Sequence, residues 1–228
     1  MADPRLTDSL HTWNTIAESF DHTRHKTWDF CLEFIKSISP DMVCADFGCG
    51  NGRHLIPLAQ QVKHAIGLDI SNNLLQITQK MLNHHYITNI LLVQGDLVHL
   101  PFKSNVFDHI IYIAALHNIK GKKNRIQSLK ELYRVLKPTG NALVSVWSKD
   151  QSRFKDKLKH QQTGEPGDII IYWRQHKLNI PRFYHLYQKN EFKQELEAAD
   201  FSIQSLKDLH ITSKKEVDNY YATVEKPR

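Results

Sequence analysis

No stretch of this 228-residue chain approaches the length of a membrane-spanning helix. Its first residues, Met1-Ala2-Asp3-Pro4-Arg5, lack the apolar core of a secretory leader. Cysteine is scarce. Cys31, Cys44 and Cys49 include no C-x-x-C pair, which argues against a disulfide framework and a thiolate zinc centre. Reduced thiols predict an intracellular, cytoplasmic protein, with the nucleus also open. The 14 histidines form no H-x-x-x-H or H-E-x-x-H pattern, so no metal is expected. Repeats and low-complexity tracts are absent. Acidic residues are in deficit, 24 against 30 Lys and Arg, and a net charge of +6 favours an anionic partner.

What is present is one domain's worth of chain, residues 1–228, with enough apolar content for a sizeable core. It is organised around Val43-Cys44-Ala45-Asp46-Phe47-Gly48-Cys49-Gly50-Asn51-Gly52. Apolar residues lead into Asp46, and three glycines follow at alternate positions. That reads as a buried strand breaking into a tight turn, with a helix from Arg53 to about Gln61. Glycines let a backbone turn sharply and approach a ligand closely, so this turn seats a nucleotide-like ligand at a strand end. The spacing Gly48-x-Gly50-x-Gly52 is not the dinucleotide fingerprint, which places its third glycine three residues after the second. A dehydrogenase is thereby disfavoured. Asp69 ends the next apolar run about twenty residues on, the separation at which a carboxylate meets ribose hydroxyls. Gly95-Asp96-Leu97 ends a third run, Ile90 to Val93.

Around these landmarks strands and helices alternate, predicting an α/β, mostly parallel sheet with helices on both faces. Strands are expected at 42–47, 65–69, 90–94, 109–113, 141–147, 184–187, about 201–207 and about 218–224. Helices are expected at 10–20, 26–38, after Ser71, at 123–136 and at 190–199. Residues 1–40 form a helical segment on the substrate side. Residues 148–182 break the alternation and read as a basic insertion over the active face, with eight Lys and Arg against four acids. Lys120 to Arg125 adds four cations and no acid. With Phe154, Tyr172 and Trp173 interleaved, such a surface suits a phosphate backbone and unpaired bases.

The ordered set of glycine turn, Asp69 and Asp96 resembles the class I S-adenosylmethionine-dependent methyltransferases. Four more segments sharpen the likeness: Trp13-x-x-Ile16-Ala17-x-x-Phe20-Asp21-x-Thr23-Arg24-x-x-x-Trp28, Ala114-Ala115-Leu116-His117-Asn118, Ser145-Val146-Trp147 and Pro181-Arg182-Phe183-Tyr184-His185-Leu186-Tyr187. With the core they resemble the tRNA wobble-uridine carboxymethyl methyltransferases, over roughly residues 10 to 205. The resemblance implies a Rossmann-like, seven-stranded fold and methyl esterification of a 5-carboxymethyl group on a uridine of the tRNA anticodon loop. S-adenosylhomocysteine would leave, and a small zinc-ribbon activator protein would pair with the sheet edge.

A carboxylate acceptor is ionised at neutral pH, so such a reaction needs alignment more than a base. Arginine's planar fork suits that task. Arg24 and Arg182 are the candidates, with His117, Tyr184 and His185 as further donors; since Tyr184 and His185 alternate along a strand, one of them faces the pocket. Trp28 and Trp13 read first as packing. For the cofactor, Asp46 is expected near the methionine amino group. Gly48, Gly50 and Gly52 would line the amino-acid end and ribose, Asp69 the ribose hydroxyls, Asp96 and Leu97 the adenine, and Ala114 the methionine moiety. Two other readings stay open on sequence: a small-molecule methyltransferase and a non-catalytic cofactor-binding scaffold.

Overall fold

The computed structural model describes residues 4–160, 164–211 and 215–228. Part of the expected insertion, 161–163, lies outside them. Two helices come first, α1 (Pro4–Asp21) and α2 (Asp29–Lys36). Then β1 (Val43–Phe47), α3 (Leu55–Gln61), β2 (His64–Asp69), α4 (Asn72–His84) and β3 (Ile90–Gln94) alternate. They are followed by β4 (Phe107–Ile113), α5 (Lys122–Val135) and β5 (Leu136–Trp147). After β5 come α6 (Ser152–His160), β6 (Asp168–Trp173), β7 (Ile180–His185), α7 (Lys189–Glu197), β8 (Ser202–Leu209) and β9 (Asn219–Glu225).

Seven strands form one sheet in the order β3-β2-β1-β4-β5-β9-β8, with β1 to β5 parallel and β9 antiparallel to both neighbours. Alternation along the strands separates two cores. Ala45, Phe47, Ile110 and Tyr112 pack with Leu129 and Leu132 of α5 and Phe192 of α7. Cys44, Ile111 and Ile113 pack with Cys31 and Ile35 of α2 and Leu55 and Leu58 of α3. Each fully buried Phe or Leu contributes about 1.5–3 kcal/mol of transfer free energy. Chain order reverses between β1 and β4. A crevice therefore opens at their carboxyl ends, where ligands bind in such sheets.

Several bounds differ from the sequence reading, among them β5, which begins at Leu136 and not at 141. The first helix begins at Pro4, and the second is trimmed to Asp29–Lys36 with Trp28 in extended conformation before it. The 148–182 insertion is built, not irregular. It holds α6 and a strand, β6, that pairs antiparallel with β7 in a separate two-stranded sheet. The strand expected at 184–187 is therefore the end of this hairpin and not a member of the main sheet. Periodicity missed β6 because Asp168-Ile169-Ile170-Ile171-Tyr172-Trp173 has no polar alternation.

Candidate active site

The turn after β1 is held by its neighbours. Gly48 and Cys49 donate to the Leu68 carbonyl at 2.7 and 3.0 Å, and Gly50 N donates to Asp69 Oδ2 at 2.8 Å. Asp69 Oδ1 accepts from Ser71 N at 2.8 Å, so one carboxylate joins the glycine turn to the start of α4. Gly48 has φ +74°, and a Cβ there would lie 2.5 Å from the Ala115 Cβ. Gly52 has φ +82°, and a Cβ there would lie 2.8 Å from Thr78 Cγ2. Ala114, at the end of β4, also takes positive φ, 55°, and donates to Ser145 Oγ at 3.0 Å. Such strain in a non-glycine residue clusters at ligand sites.

The cavity floor holds Gly48, Gly50, Asp69, Asp96, Leu97 and Ala114. Asp46, two residues before Gly48, is 1% exposed and does not line the cavity, and its Oδ2 has no hydrogen-bond partner among the described residues. Burial, and then the charge of Asp69, pushes the Asp46 carboxyl up to about 8, against the pull of Arg53. Burial likewise raises Asp69 to about 6, opposed by the amides of Ser71 and Gly50. A buried carboxylate oxygen without a partner beside a glycine turn calls for a functional explanation.

The roof comes from α1 and the β6–β7 hairpin. Asn51 of the turn donates to Asp21 Oδ1 and to the Arg24 carbonyl, both at 2.8 Å, which fixes the end of α1 over the floor. Ser19 Oγ accepts from Trp173 Nε1 and bonds His176 Nδ1, each at 2.7 Å, pinning the hairpin to α1. Arg24, Arg53 and Arg182 all line the cavity. Each lies over aromatic faces: Arg53 over Trp28 at 5.0 Å, Arg24 over Trp173 at 5.7 Å, and Arg182 over Trp173 at 4.7 Å and Tyr184 at 5.0 Å. Arg182 is 7% exposed and donates to Tyr184 Oη. Among the described residues no carboxylate pairs with it, and its Nε has no partner. Burial lowers its pKa, as does the charge of Arg24.

Arg24, His117, Arg182 and Tyr184 therefore share one cavity with the floor residues. Three expected residues do not: Asp46 is buried outside the lining, and His185 and Gly52 lie elsewhere. His185 points to the other side of its strand, where Nδ1 meets Asp168 at 2.7 Å and Nε2 meets Glu191 at 2.9 Å. Gly52 lies behind the cavity wall, packed on Thr78. The basic surface also changes. Arg125 is fully buried, bonding Glu165 at 2.9 Å and Glu195 at 3.0 Å. Phe154 and Trp173 are buried, so Tyr172, 46% exposed, is the aromatic of the three that faces solvent. Trp13 and Trp28, expected as packing, line the cavity, and so do Arg53, Asn118 and Trp147. Arg53 carried a signal in its place directly after Gly52.

The fold is that of the class I methyltransferases, and the family described as "Methyltransferase domain" matches residues 45–144. The methyltransferase from Methanosarcina mazei superposes with a TM-score of 0.77 at 17% identity, covering 89% of this chain and 99% of that one. A methyltransferase in complex with the Haloferax volcanii Trm112 methyltransferase activator superposes with a TM-score of 0.69 at 16% identity, covering 98% of each chain.

Within that class the chain resembles the tRNA (carboxymethyluridine(34)-5-O)-methyltransferases. It is 29% identical over 214 residues to the enzyme so named from Schizosaccharomyces pombe, covering 84% of this chain and 87% of that one. It is 34% identical over 148 residues to ALKBH8 of Mus musculus, covering 65% of this chain. The chain spans about a fifth of that relative's length, 21%.

Proposed function

We propose that this chain methylates the carboxymethyl group of a wobble uridine in a tRNA anticodon loop, forming the methyl ester. The observation that carries the reading is Arg182, a buried guanidinium with no carboxylate partner among the described residues, opening on the cavity that holds the glycine turn. A desolvated, unpaired charge is costly, and an anionic acceptor relieves it. The named relatives support the choice of acid and of RNA.

The floor fits S-adenosylmethionine: the partnerless Asp46 suits its ammonium, and a side chain on Gly48 would fill the space beside Ala115. When bound, that donor supplies an electrophilic methyl on a sulfonium. Asp46, Asp69, Asp96, Leu97 and Ala114 would hold it. Arg182 and Arg24 would grip the acceptor carboxylate in the plane of their forks. No side chain need remove a proton, because the acid is ionised at neutral pH. Trp13, Phe20, Trp28 and Trp147 exclude water from the meeting point. Lys120 and the cations of α6 would meet the tRNA backbone. A zinc-ribbon activator would cover the free edge of the sheet at β3, where Leu91 is 61% exposed.

Transfer of labelled methyl to tRNA carrying carboxymethyluridine, with and without a zinc-ribbon activator, tests the reading. Label released by mild alkali supports it. Label confined to alkali-stable ring or ribose positions refutes it.

A further inference from the structure

Deepening the carboxyl methylation proposed above, and resting on it, we infer that His117 is a fixed, uncharged hydrogen-bond donor. It selects acceptors that carry a carbonyl oxygen beside their carboxylate, as a 5-substituted uracil does. The ring packs against both Trp147 and Tyr184, each with its centroid 5.4 Å away. Those two stack on each other at 4.7 Å, and Phe154 backs Trp147 at 6.0 Å. The imidazole therefore has little freedom to turn.

The Trp147 backbone N–H donates to His117 Nδ1 at 3.1 Å. An amide N–H can only donate, so Nδ1 carries the lone pair and the ring proton sits on Nε2. His117 is 1% exposed yet lines the cavity, and no acceptor for Nε2 occurs among the described residues. This N–H is left for a ligand.

Charging the ring is disfavoured from every side. Burial is the main cause, His185 and Arg182 add to it, and together they bring the pKa down to about 3. Protonation of Nδ1 would also break the bond from Trp147. His117 is thus not a second cation competing with Arg182 for the carboxylate, nor is it a base, since its one free nitrogen already holds a proton. Arg182 takes the charge and His117 takes a neutral oxygen. An aliphatic acid without a neighbouring carbonyl satisfies the first and leaves the second unpaired, which is the stronger form of discrimination.

Two measurements on the full chain test this. Long-range proton–nitrogen NMR of the labelled protein, with His117 assigned by its loss in His117→Gln, should show the Nε2–H tautomer unchanged from pH 5.5 to 8.5. A proton on Nδ1, or a doubly protonated ring near neutral pH, overturns the inference. In turnover on carboxymethyluridine tRNA, His117→Leu should lose roughly tenfold or more in kcat/KM, with donor affinity by calorimetry unchanged. His117→Gln, whose amide N–H reaches about where Nε2 sits, should recover most of that loss. Equal losses in both variants, or none in His117→Leu, overturn it. Should His117→Leu misfold, the NMR result on the wild type still decides. A wild type that forms no ester on this tRNA refutes the proposed function instead, independently of the tautomer.

Discussion

Donor binding should expel a proton from Asp46. Its Oδ2 is partnerless among the described residues, and burial with the charge of Asp69 holds its carboxyl at about 8 in the free protein. At pH 7 roughly nine molecules in ten then carry Asp46 protonated. An ammonium forms its charge-assisted bond with the carboxylate, not the acid. Binding of S-adenosylmethionine or S-adenosylhomocysteine at pH 7 should therefore release about 0.9 proton, falling to about 0.1 at pH 9. Asp69, at about 6, is already ionised at pH 7 in roughly nine molecules of ten and cannot mimic this. Calorimetry in two buffers of different ionisation enthalpy measures the release as the slope of observed heat. Asp46→Asn should abolish it and weaken the donor by about ten- to a hundred-fold. The same shift carries a stability signature. A carboxyl whose folded pKa is raised favours the fold while protonated, and that advantage is lost as pH climbs through about 8. The ligand-free Asp46→Asn protein should thus melt above the wild type, by a wider margin at pH 9 than at pH 5. Heats independent of buffer at pH 7, or an undiminished release at pH 9, would refute the reasoning.

Three further outcomes follow from the geometry. Gly48→Ala places a Cβ 2.5 Å from Ala115 Cβ at φ +74°, so it should cost about 1–3 kcal/mol in urea unfolding and abolish measurable donor uptake. Arg125→Met strands Glu165 and Glu195 without their cation and should destabilise by about 3–5 kcal/mol, with partial recovery on acidification as those acids protonate. For His185, burial lowers the pKa, but hydrogen bonds to Asp168 and Glu191 outweigh it and the net shift is upward, against the charge of Arg125. Its stabilising contribution is therefore complete below the unfolded value near 6.5 and is lost as pH rises through the elevated one. Thermal melts from pH 5 to 9 should show that loss in the wild type and flatten in His185→Gln.

The sheet was legible because buried parallel strands write themselves as short apolar runs ended by Gly or Asp. Val43 to Phe47, His64 to Asp69 and Ile90 to Gln94 fall within a residue or so of the expected bounds. The hairpin was not, since the unbroken apolar run Ile169 to Trp173, in an otherwise basic segment, has no period to betray it. Charge was the least legible quantity. Arg125 sits in a run of lysines and looks like surface, yet it is the buried centre of three glutamates that lie forty to seventy residues away in sequence. His185 and Tyr184 are adjacent letters with opposite fates, decided by strand alternation once β6 pairs with β7. Tyr184 enters the cavity, whereas His185 joins Asp168 and Glu191 behind it.

The way the arginines are held bears on what they hold. A guanidinium clamped by a carboxylate is neutralised, and its in-plane donors are spent. A guanidinium resting on an aromatic face is attracted through its flat side, and the donors at its edge stay available. Arg24, Arg53 and Arg182 are all held the second way, over Trp173, Trp28 and Tyr184. The cavity thus presents three oriented cations, with Asp69 in its lining and Asp46 buried outside it, raised to about 8. In the proposed reaction the donor would bring a sulfonium, an ammonium and a carboxylate, and the proton expelled from Asp46 would offset its net positive charge. The three arginines would keep their surplus, and an anionic acceptor would reduce it at the point where the methyl must be delivered. In the proposed reaction, esterification would remove the acceptor's charge, so the product would lose the attraction that drew the acid in, and the chemistry itself would promote release.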